Sequence, residues 1–447
     1  MLSKIKKKIE NTTFKVMYLT FIGMVLAWVF DILIAKKLGV STEADTLIIA
    51  ITIPKLIDTV AREGTRQSLV PLFMQYRSEE SQKKYTNFIS GCINFSIVLG
   101  FVLTIILEFL APWIIFLLGP GLPIEAKNEA TLLFRYGIPM LIFALPISII
   151  SVMLNSHKQF SVVALRNSIA PLFFIISIGL AWNQPNLSSY LVISYPLSFI
   201  LFFIMVFWDA KKIGHHHNWL TWLTKEHFQE LWKAGSIPTM SFLFRQTFSI
   251  IRSQVLPSLL ITGGISIFYF AERMVSASQT IIGASIATTS LPNVTEKFIA
   301  GKKFEVVQIL RKTILRSLLV SFPVVLMIII FHREIIALLY GRGAFDANSI
   351  TYTSQVFLFT GISLLFTCLL PILETGLYAS KAYSNIAFLQ VSIPIISLSL
   401  AIIFSGWQGF IGIAMSAPVV SCIYVIALIY FLYRINLSLF MKKKIDH

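Results

Sequence analysis

Charged residues are scarce in this chain of 447 residues. Asp, Glu, Lys and Arg together make up 13% of the sequence, whereas hydrophobic residues make up 56% and the mean hydropathy is +0.78. Soluble globular domains carry about 25% charged residues, so the composition excludes a soluble multi-domain protein. It predicts an integral membrane protein.

Cysteine and long polar loops are also scarce. Cys92, Cys368 and Cys422 lie in apolar stretches without a paired metal-ligand spacing, which indicates small core residues rather than a disulfide framework or a zinc site. The predicted outer loops are short, whereas a membrane-embedded glycosyltransferase or polymerase would need catalytic carboxylates or a metal in a sizeable outer loop. We therefore expect no enzyme, no cofactor and no metal, with coupling to an ion or to the membrane potential left open.

Apolar runs recur along the whole chain. Each contains about 20 residues, the length of helix that crosses about 30 Å of hydrocarbon. The sequence predicts an all-α polytopic membrane protein with about twelve transmembrane helices. The predicted spans are 13–35, 46–74, 86–118, 131–154, 161–182, 187–208, 230–260, 265–296, 305–331, 352–376, 384–405 and 409–433.

Basic residues are divided unequally between the two faces. The outer loops hold only Lys36, Lys37, Lys127, Arg333 and Arg342, and most of the other Lys and Arg residues fall in inner loops or at inner span ends. Because cytoplasmic loops carry the excess of positive charge, we predict a multi-pass protein of the cytoplasmic (inner) membrane with both termini in the cytoplasm. The net charge of +16 is then mostly inner-face charge that favours anionic lipid, so a nucleic-acid partner is not expected.

The chain repeats itself at an offset of about 222 residues. Leu154, Lys158 and Ser161 match Leu377, Lys381 and Ser384. Such a parallel repeat predicts two pseudo-symmetric six-helix bundles: residues 1–208, a cytoplasmic linker at 209–233, and residues 234–447. In transporters of this plan the substrate site lies between the bundles, which rock to expose it to either side.

Four of the ionisable residues in the second predicted span lie on one face of a helix. Lys55, Asp58, Arg62 and Arg66 fall within an arc of about 80° on a helix. A charge at the centre of a bilayer costs roughly 2.5–3.5 kcal/mol, so these side chains predict a polar cavity. The alternative is that they lie near the head groups and extend to the interface.

Other spans carry candidate residues of the same cavity. Glu272 and Arg273 lie in the eighth span, which we expect to face the second, and Arg245 and Arg252 are seven residues apart in the seventh, hence on one face. Cations outnumber anions within the spans, and arginine suits bidentate phosphate binding, so the pattern favours an anionic cargo.

Each of these residues also has a structural interpretation. Glu63 and Glu272 could neutralise the adjacent Arg62 and Arg273. Three arginines near predicted span ends are expected to extend to the interface: Arg135, Arg166 and Arg316. The run His215, His216, His217 could bind a metal, but without a carboxylate or cysteine partner a solvated loop is favoured.

Three motifs are distributed along the chain. The first lies between Gly23 and Tyr76 and consists of Asp31, Ala35, Gly39, Ala44-Asp45, Ile53-Pro54, Glu63-Gly64 and Val70-Pro71. The second is Tyr269 to Arg273, continuing through Gly283 to Leu291-Pro292, and the third runs from Gly341 to Asp346. Together they resemble the MurJ (MviN) family, the lipid II flippases of the multidrug, oligosaccharidyl-lipid and polysaccharide exporter superfamily. The likeness covers almost the whole chain.

The resemblance implies a flippase for a polyprenyl-pyrophosphate-linked saccharide, lipid II or a similar peptidoglycan precursor, that works by alternating access. Asp45 and Arg273 fall on positions that matter in the family, and Arg273 is implied to contact the pyrophosphate. Met24, Phe30 and Asp58 occupy the places of three other family arginines, and the family usually has fourteen spans.

The implied partners are a lipid-linked anionic glycan and the bilayer, and we expect a monomer. Three alternatives remain open: an exporter of another lipid-linked polysaccharide unit, a cation-coupled drug exporter, and a non-transporting scaffold.

Overall fold

The computed structural model describes residues 2–79, 81–279, 294, 296–298, 300, 302–380, 382–435 and 437. Within this described part the regular structure is helical and contains no strand. The chain divides into two compact units. The first comprises Met1–Ile34 and Thr42–Gln246, and the second comprises Ala35–Ser41 and Thr247–His447.

The first unit contains the helices up to α9, except that the last residues of α1 and α9 belong to the second unit. They are α1 Leu2–Leu38, α2 Thr42–Glu79, α3 Gln82–Leu118, α4 Ile124–Gly137, α5 Leu141–Ser156, α6 Ser161–Ala164, α7 Arg166–Ala181, α8 Leu187–Lys212 and α9 Lys225–Ile250. A 3₁₀ turn at Ile138–Met140 joins α4 to α5. Helix α5 is central, because α2, α3 and α8 all pack on it.

The second unit continues after a π-helical turn at Ile251–Val255. Its helices are α10 Leu256–Leu260, α11 Gly264–Gln279, α12 Lys303–Tyr340, α13 Ala347–Ile362, α14 Leu364–Thr367, α15 Leu370–Ala379, α16 Tyr383–Gln408 and α17 Phe410–Arg434. Helices α16 and α17 pack on each other, and α13 packs on α11, α12 and α17.

The helix boundaries repeat between the two units. Gln82 and Lys303, which begin α3 and α12, are 221 positions apart. Ile124 and Ala347, which begin α4 and α13, are 223 apart, as are Leu187 and Phe410, which begin α8 and α17. The internal repeat in the sequence is therefore also a repeat of helices.

Eight helical segments among the described residues are long and apolar enough to cross a membrane, and Arg166–Ala181 is a shorter apolar helix. Every predicted span coincides with helix, except that the end of the eighth, from residue 280, lies largely outside the described residues. The predicted spans in α2 and in α9–α10 are not among these eight segments, because they carry several ionisable residues. The all-α polytopic fold is confirmed.

The segment between α8 and α9 belongs to the first unit and packs on α3. The side-chain amide nitrogen of Asn94 donates to the carbonyl oxygens of Asn218, Trp219 and Thr221 at 3.0, 3.2 and 2.9 Å. The backbone N–H of Asn218 donates to Ser90 Oγ at 3.1 Å. These hydrogen bonds hold the backbone of an irregular segment against a helix.

The prediction of a solvated loop at the histidine run is wrong for two of its three members. His215 is 5% exposed, and His217 Nε2 donates to Asn94 Oδ1 at 3.1 Å. The His217 ring also lies 4.2 Å from that of Trp219. Only His216 is exposed, so the run is a packed element of the segment between α8 and α9.

The Gly341–Asp346 motif builds a loop of the second unit. Gly343 has φ +64° and approaches the Lys36 carbonyl too closely for any side chain. The Ala344 amide donates to that carbonyl at 2.9 Å. Asp346 caps α13 by accepting from the Ser349 amide at 2.8 Å. The motif therefore joins the end of α1 to the start of α13.

Candidate functional site

A polar cavity of about 150 Å³ lies inside the first unit. Its walls come from α2, α5, α6 and α7. The lining residues are Arg62, Glu63, Arg66, Ser148, Ser151, Val152, Asn155, Val163, Arg166 and Asn167. The lining residues include three arginines and one glutamate, so the lining carries a net positive charge.

A buried ion pair links α2 to α7 at this cavity. Arg166 Nη2 donates to Asp58 Oδ1, and the two side chains are 6% and 12% exposed. Both terminal nitrogens of Arg166 also lie 3.4 Å from Ser148 Oγ, and its guanidinium sits 5.9 Å from the centre of the Phe199 ring. Removing one partner of a buried pair typically costs about 3–5 kcal/mol, because the other charge remains buried.

The α2 side of the cavity carries alternating charges. Glu63 contacts Arg66 at 2.9 Å and Arg62 at 3.5 Å. Arg62 also donates from Nη1 to Asn167 Oδ1 at 3.1 Å, which connects α2 to α7. Arg66 remains mostly exposed, with 61% of its side chain accessible. The predicted neutralisation of Arg62 by Glu63 is present, and Glu63 is shared with Arg66.

Three lining residues have buried polar atoms that make no hydrogen bond to any described residue. They are the Nε atoms of Arg62 and Arg166 and the Oγ of Ser151. Buried donors usually find a partner, and exceptions call for an explanation such as an absent ligand or water. Arginine N–H groups and a serine hydroxyl are donors suited to phosphate or carboxylate oxygens.

The stripe predicted on α2 is divided in the structure. Arg62 and Arg66 line the cavity, Asp58 is buried behind it against Arg166, and Lys55 is exposed and outside the lining. The expectation that Arg166 extends to the interface is wrong, because Arg166 is buried and paired. Its burial follows from Asp58, since the carboxylate on α2 pairs with the guanidinium inside the unit.

An aromatic cluster occupies the place of one family arginine. Phe30 stacks on Phe174 with ring centres 4.8 Å apart. Phe174 contacts Tyr195 at 5.3 Å, and Tyr195 contacts Phe199 at 5.4 Å. Phe199 in turn lies against Arg166. The cluster therefore supports the ion pair from the apolar side.

The candidates of the seventh and eighth spans have separate surroundings. Glu272 pairs with Arg252 at 2.6 Å, an interhelical partner that adjacency in sequence did not indicate. Arg273 is half-buried on α11. Arg245 is exposed and lies 5.0 Å from the ring of Phe242 on its own helix, whereas Arg252 sits in the π-helical turn.

Asp45 is 1% exposed in the first turn of α2. A carboxylate near the N-terminus of a helix is favoured by the helix dipole, which gives Asp45 a structural reason for its place. It does not line the cavity of the first unit.

Sequence reasoning missed the α5 and α7 walls of the cavity. Ser148, Ser151 and Asn155 recur at intervals of three and four in an otherwise apolar helix, so they share one face within about 60°. Arg166 and Asn167 are adjacent at the start of the next span. Both signals were present, and small polar residues in an apolar helix are weaker signals than charges.

Comparison with known proteins agrees with this fold. Residues 34–445 match the profile of the family described as "Lipid II flippase MurJ". A protein of Buchnera aphidicola (subsp. Acyrthosiphon pisum, strain APS) named "Probable lipid II flippase MurJ" is 27% identical over 382 residues, 81% of this chain and 72% of that protein.

Two solved structures share the architecture. One is titled "Lipid II flippase MurJ, inward closed conformation"; it has a TM-score of 0.83 and 24% identity, covering 94% of this chain and 87% of that one. The other is an inward-facing multidrug resistance MATE family transporter of the MOP superfamily, with a TM-score of 0.79 and 11% identity, covering 93% of this chain and 94% of that one. With the family profile covering most of its length, the chain belongs to the MurJ family of lipid II flippases.

Proposed function

We propose that this protein is a flippase for a polyprenyl-pyrophosphate-linked saccharide, with lipid II as the first candidate, and that it works by alternating access in the cytoplasmic membrane. The observation that carries the proposal is the polar, net basic cavity of the first unit, with Arg62 and Arg66 on one wall. Family membership supports the same cargo class.

The cavity favours an anionic group over a cationic drug. Arginine binds phosphate oxygens through paired N–H donors, and such charge-assisted hydrogen bonds are stronger than neutral ones. In the membrane these side chains would be unfavourable without a polar partner, which gives an anionic cargo a role in the transport cycle. The remaining residues proposed for substrate binding are Arg245, Arg252 and Arg273 as contacts of the anionic group, and Asp45, Asp58 and Glu272 as acidic residues that do not contact it.

The reaction class needs no covalent chemistry. Translocation changes the face of the membrane on which the head group lies, and the protein supplies a polar surface for that group during passage. We propose that the protein acts as a monomer with both termini in the cytoplasm, supported by the excess of basic residues in the inner loops.

An exporter of another lipid-linked polysaccharide unit is the second candidate. The specific observation in its favour is the replacement of family arginines by the Phe30 aromatic cluster and by the Asp58 carboxylate. The pyrophosphate linkage is common to both cargoes, so the two candidates differ in the saccharide.

Complementation of a bacterial strain depleted of its lipid II flippase tests the proposal. We expect growth with the wild-type chain, loss of growth with the Arg62→Ala/Arg66→Ala variant, and growth with Lys55→Ala, a matched control on the same helix outside the cavity. The amount of inserted protein is measured for all three. No growth with wild-type chain at normal abundance would exclude lipid II and leave the second candidate.

A further inference from the structure

The cavity of the first unit is too small for a whole glycolipid head group. Its volume of about 150 Å³ is below the range of roughly 300–1,000 Å³ that is usual for pockets holding complete small molecules. A phosphate or diphosphate group fits this space, and the attached saccharide does not.

Arg166 is fixed in place before any ligand arrives. Asp58 and Ser148 hold its terminal nitrogens, and the Phe199 ring lies against the guanidinium. Since a long side chain loses rotamer freedom when it binds a ligand, a side chain already held by packing and an ion pair binds at lower entropic cost. The pair also keeps one basic group on the α7 wall, across from the α2 arginines.

Buried donors on α5 and α7 at this cavity make no hydrogen bond to the described residues. Arg166 Nε and Ser151 Oγ are buried and make no hydrogen bond within the described part of the chain. Both residues line the cavity. A purely structural ion pair would not require a polar cavity with unused donors beside it.

We infer that Arg166 contacts the diphosphate group of the cargo in this cavity, and that Asp58 is the positioning residue that holds Arg166 for this contact. The inference rests on the proposed function for the identity of the cargo, and on the cavity alone for the diphosphate. The carboxylate of Asp58 is negatively charged, but it favours diphosphate binding because it holds the Arg166 donors of α7 in position.

The test measures binding to the purified full-length protein in lipid nanodiscs. The probes are farnesyl diphosphate and farnesol, which share a tail and differ in the diphosphate. We expect wild-type protein to bind the diphosphate more tightly than the alcohol. A general loss of stability would weaken the binding of both probes. The ratio of the two affinities therefore reports on the diphosphate contact.

The main variant is Asp58→Asn/Arg166→Gln, which removes both charges and leaves no unpaired buried ion. We expect its affinity for farnesyl diphosphate to fall by at least about tenfold, the equivalent of one charge-assisted hydrogen bond, with farnesol binding unchanged. Arg135→Ala is the matched control, because Arg135 forms an ion pair with Glu108 at 3.1 Å outside the cavity. Melting temperatures show whether each variant is folded.

The role of Asp58 is tested separately. Asp58→Asn should weaken diphosphate binding, and Asp58→Glu should restore part of it. If Asp58 merely competed with the ligand for Arg166, then Asp58→Asn would tighten binding, and the positioning role would be wrong.

Two further results would overturn the assignment of Arg166. One is wild-type affinity for farnesyl diphosphate in the folded double variant, and the other is a wild-type protein that does not distinguish diphosphate from alcohol. A different combination of results would contradict only the proposed cargo. If the chain does not complement the depleted strain but still binds farnesyl diphosphate through Arg166, the cargo is wrong and the assignment of Arg166 to the cavity remains.

Discussion

Several charged side chains of this protein contact partners of opposite charge. Asp58 pairs with Arg166, Glu272 with Arg252, and Glu63 lies between two arginines. Pairing lowers the cost of keeping a charge in a low-dielectric environment, although desolvation offsets much of the attraction. An ion pair alone is therefore weak evidence for function, and the polar cavity beside Arg166 is what distinguishes that pair.

Adjacency in sequence indicates only some of the ion pairs. It indicates Arg62 with Glu63, but it does not indicate the pair between Glu272 and Arg252, which lies twenty positions earlier on another helical segment. Arg166 was misplaced for a similar reason. Its position near a span end predicts exposure, and only the fold reveals that Asp58 from another helix reaches it.

At Arg273 we predict that geometry matters more than charge. Replacing Arg273 by Lys keeps the positive charge but removes the planar fork that binds phosphate through two parallel hydrogen bonds. The loss of one charge-assisted hydrogen bond, about 1.5–3 kcal/mol, corresponds to roughly a tenfold or larger drop in transport rate. The measurement is flipping of a labelled lipid-linked saccharide in proteoliposomes, normalised to the amount of protein.

Arg273→Ala should be at least as impaired as Arg273→Lys. Arg316→Ala, at an exposed arginine of α12, is the control for loss of an arginine elsewhere in the second unit. Full transport by Arg273→Ala would show that the role implied by the family resemblance does not apply to this chain.

At the scale of the element, α2 shows how far a periodic charge pattern can be interpreted. The spacing puts Arg62 and Arg66 on one face of α2, and both residues line the polar cavity of the first unit. It did not separate Asp58, which lies on the same face but is buried against α7, from residues that contact the cavity. Periodicity defines a face, and the packing of neighbouring helices decides which part of that face is hydrated.

Cysteine labelling along α2 should reproduce this division. Cysteines at Arg62 and Arg66 should react with a small polar thiol reagent, because their native side chains are 34% and 61% exposed. Cysteines at Asp58 and Val60 should react more slowly, since both native residues are 8% exposed. The native cysteines are first replaced by serine or alanine. Equal reactivity at all four positions would contradict the described packing of α2.

The segment between α8 and α9 should detach from α3 as the pH falls. Burial lowers the pKa of His215 from its ordinary value of 6.5 to about 4, and repulsion from His217, His216 and His157 adds to the effect. The neutral form is therefore favoured when the segment is packed, and detachment restores the ordinary pKa. Stability from the neutral His215 is full above pH 6.5 and is lost as the pH falls towards 4.

A nitroxide label on His216→Cys, an exposed neighbour, measures this detachment as increased mobility between pH 7 and pH 4.5. His215→Gln, which cannot take up a proton in this range, should reduce the pH dependence. Mobility that is constant over this range in the labelled protein would contradict the burial of His215.

At the scale of the whole molecule, the repeat was the strongest sequence signal. Matching helix starts separated by 221 and 223 positions confirm it in the structure. The repeat survives because each copy must form apolar helices of similar length. The cavity lining has no such constraint, which is why the fold was predictable and the residues of α5 and α7 were not.

Topology is the whole-molecule property on which the transport proposal depends. If the basic inner loops set orientation, cysteines at Asn183 and Gly406 should react with a membrane-impermeant reagent added outside intact cells, and one at His216 should be shielded. All three positions are exposed. His216 is preferred to Gly214, because Gly214 has φ +86° and a cysteine there would be strained.

After permeabilisation all three cysteines should react, which separates shielding by the membrane from burial in the protein. Outside reactivity at His216 in intact cells would reverse the proposed orientation and place both termini outside, since the predicted number of spans is even.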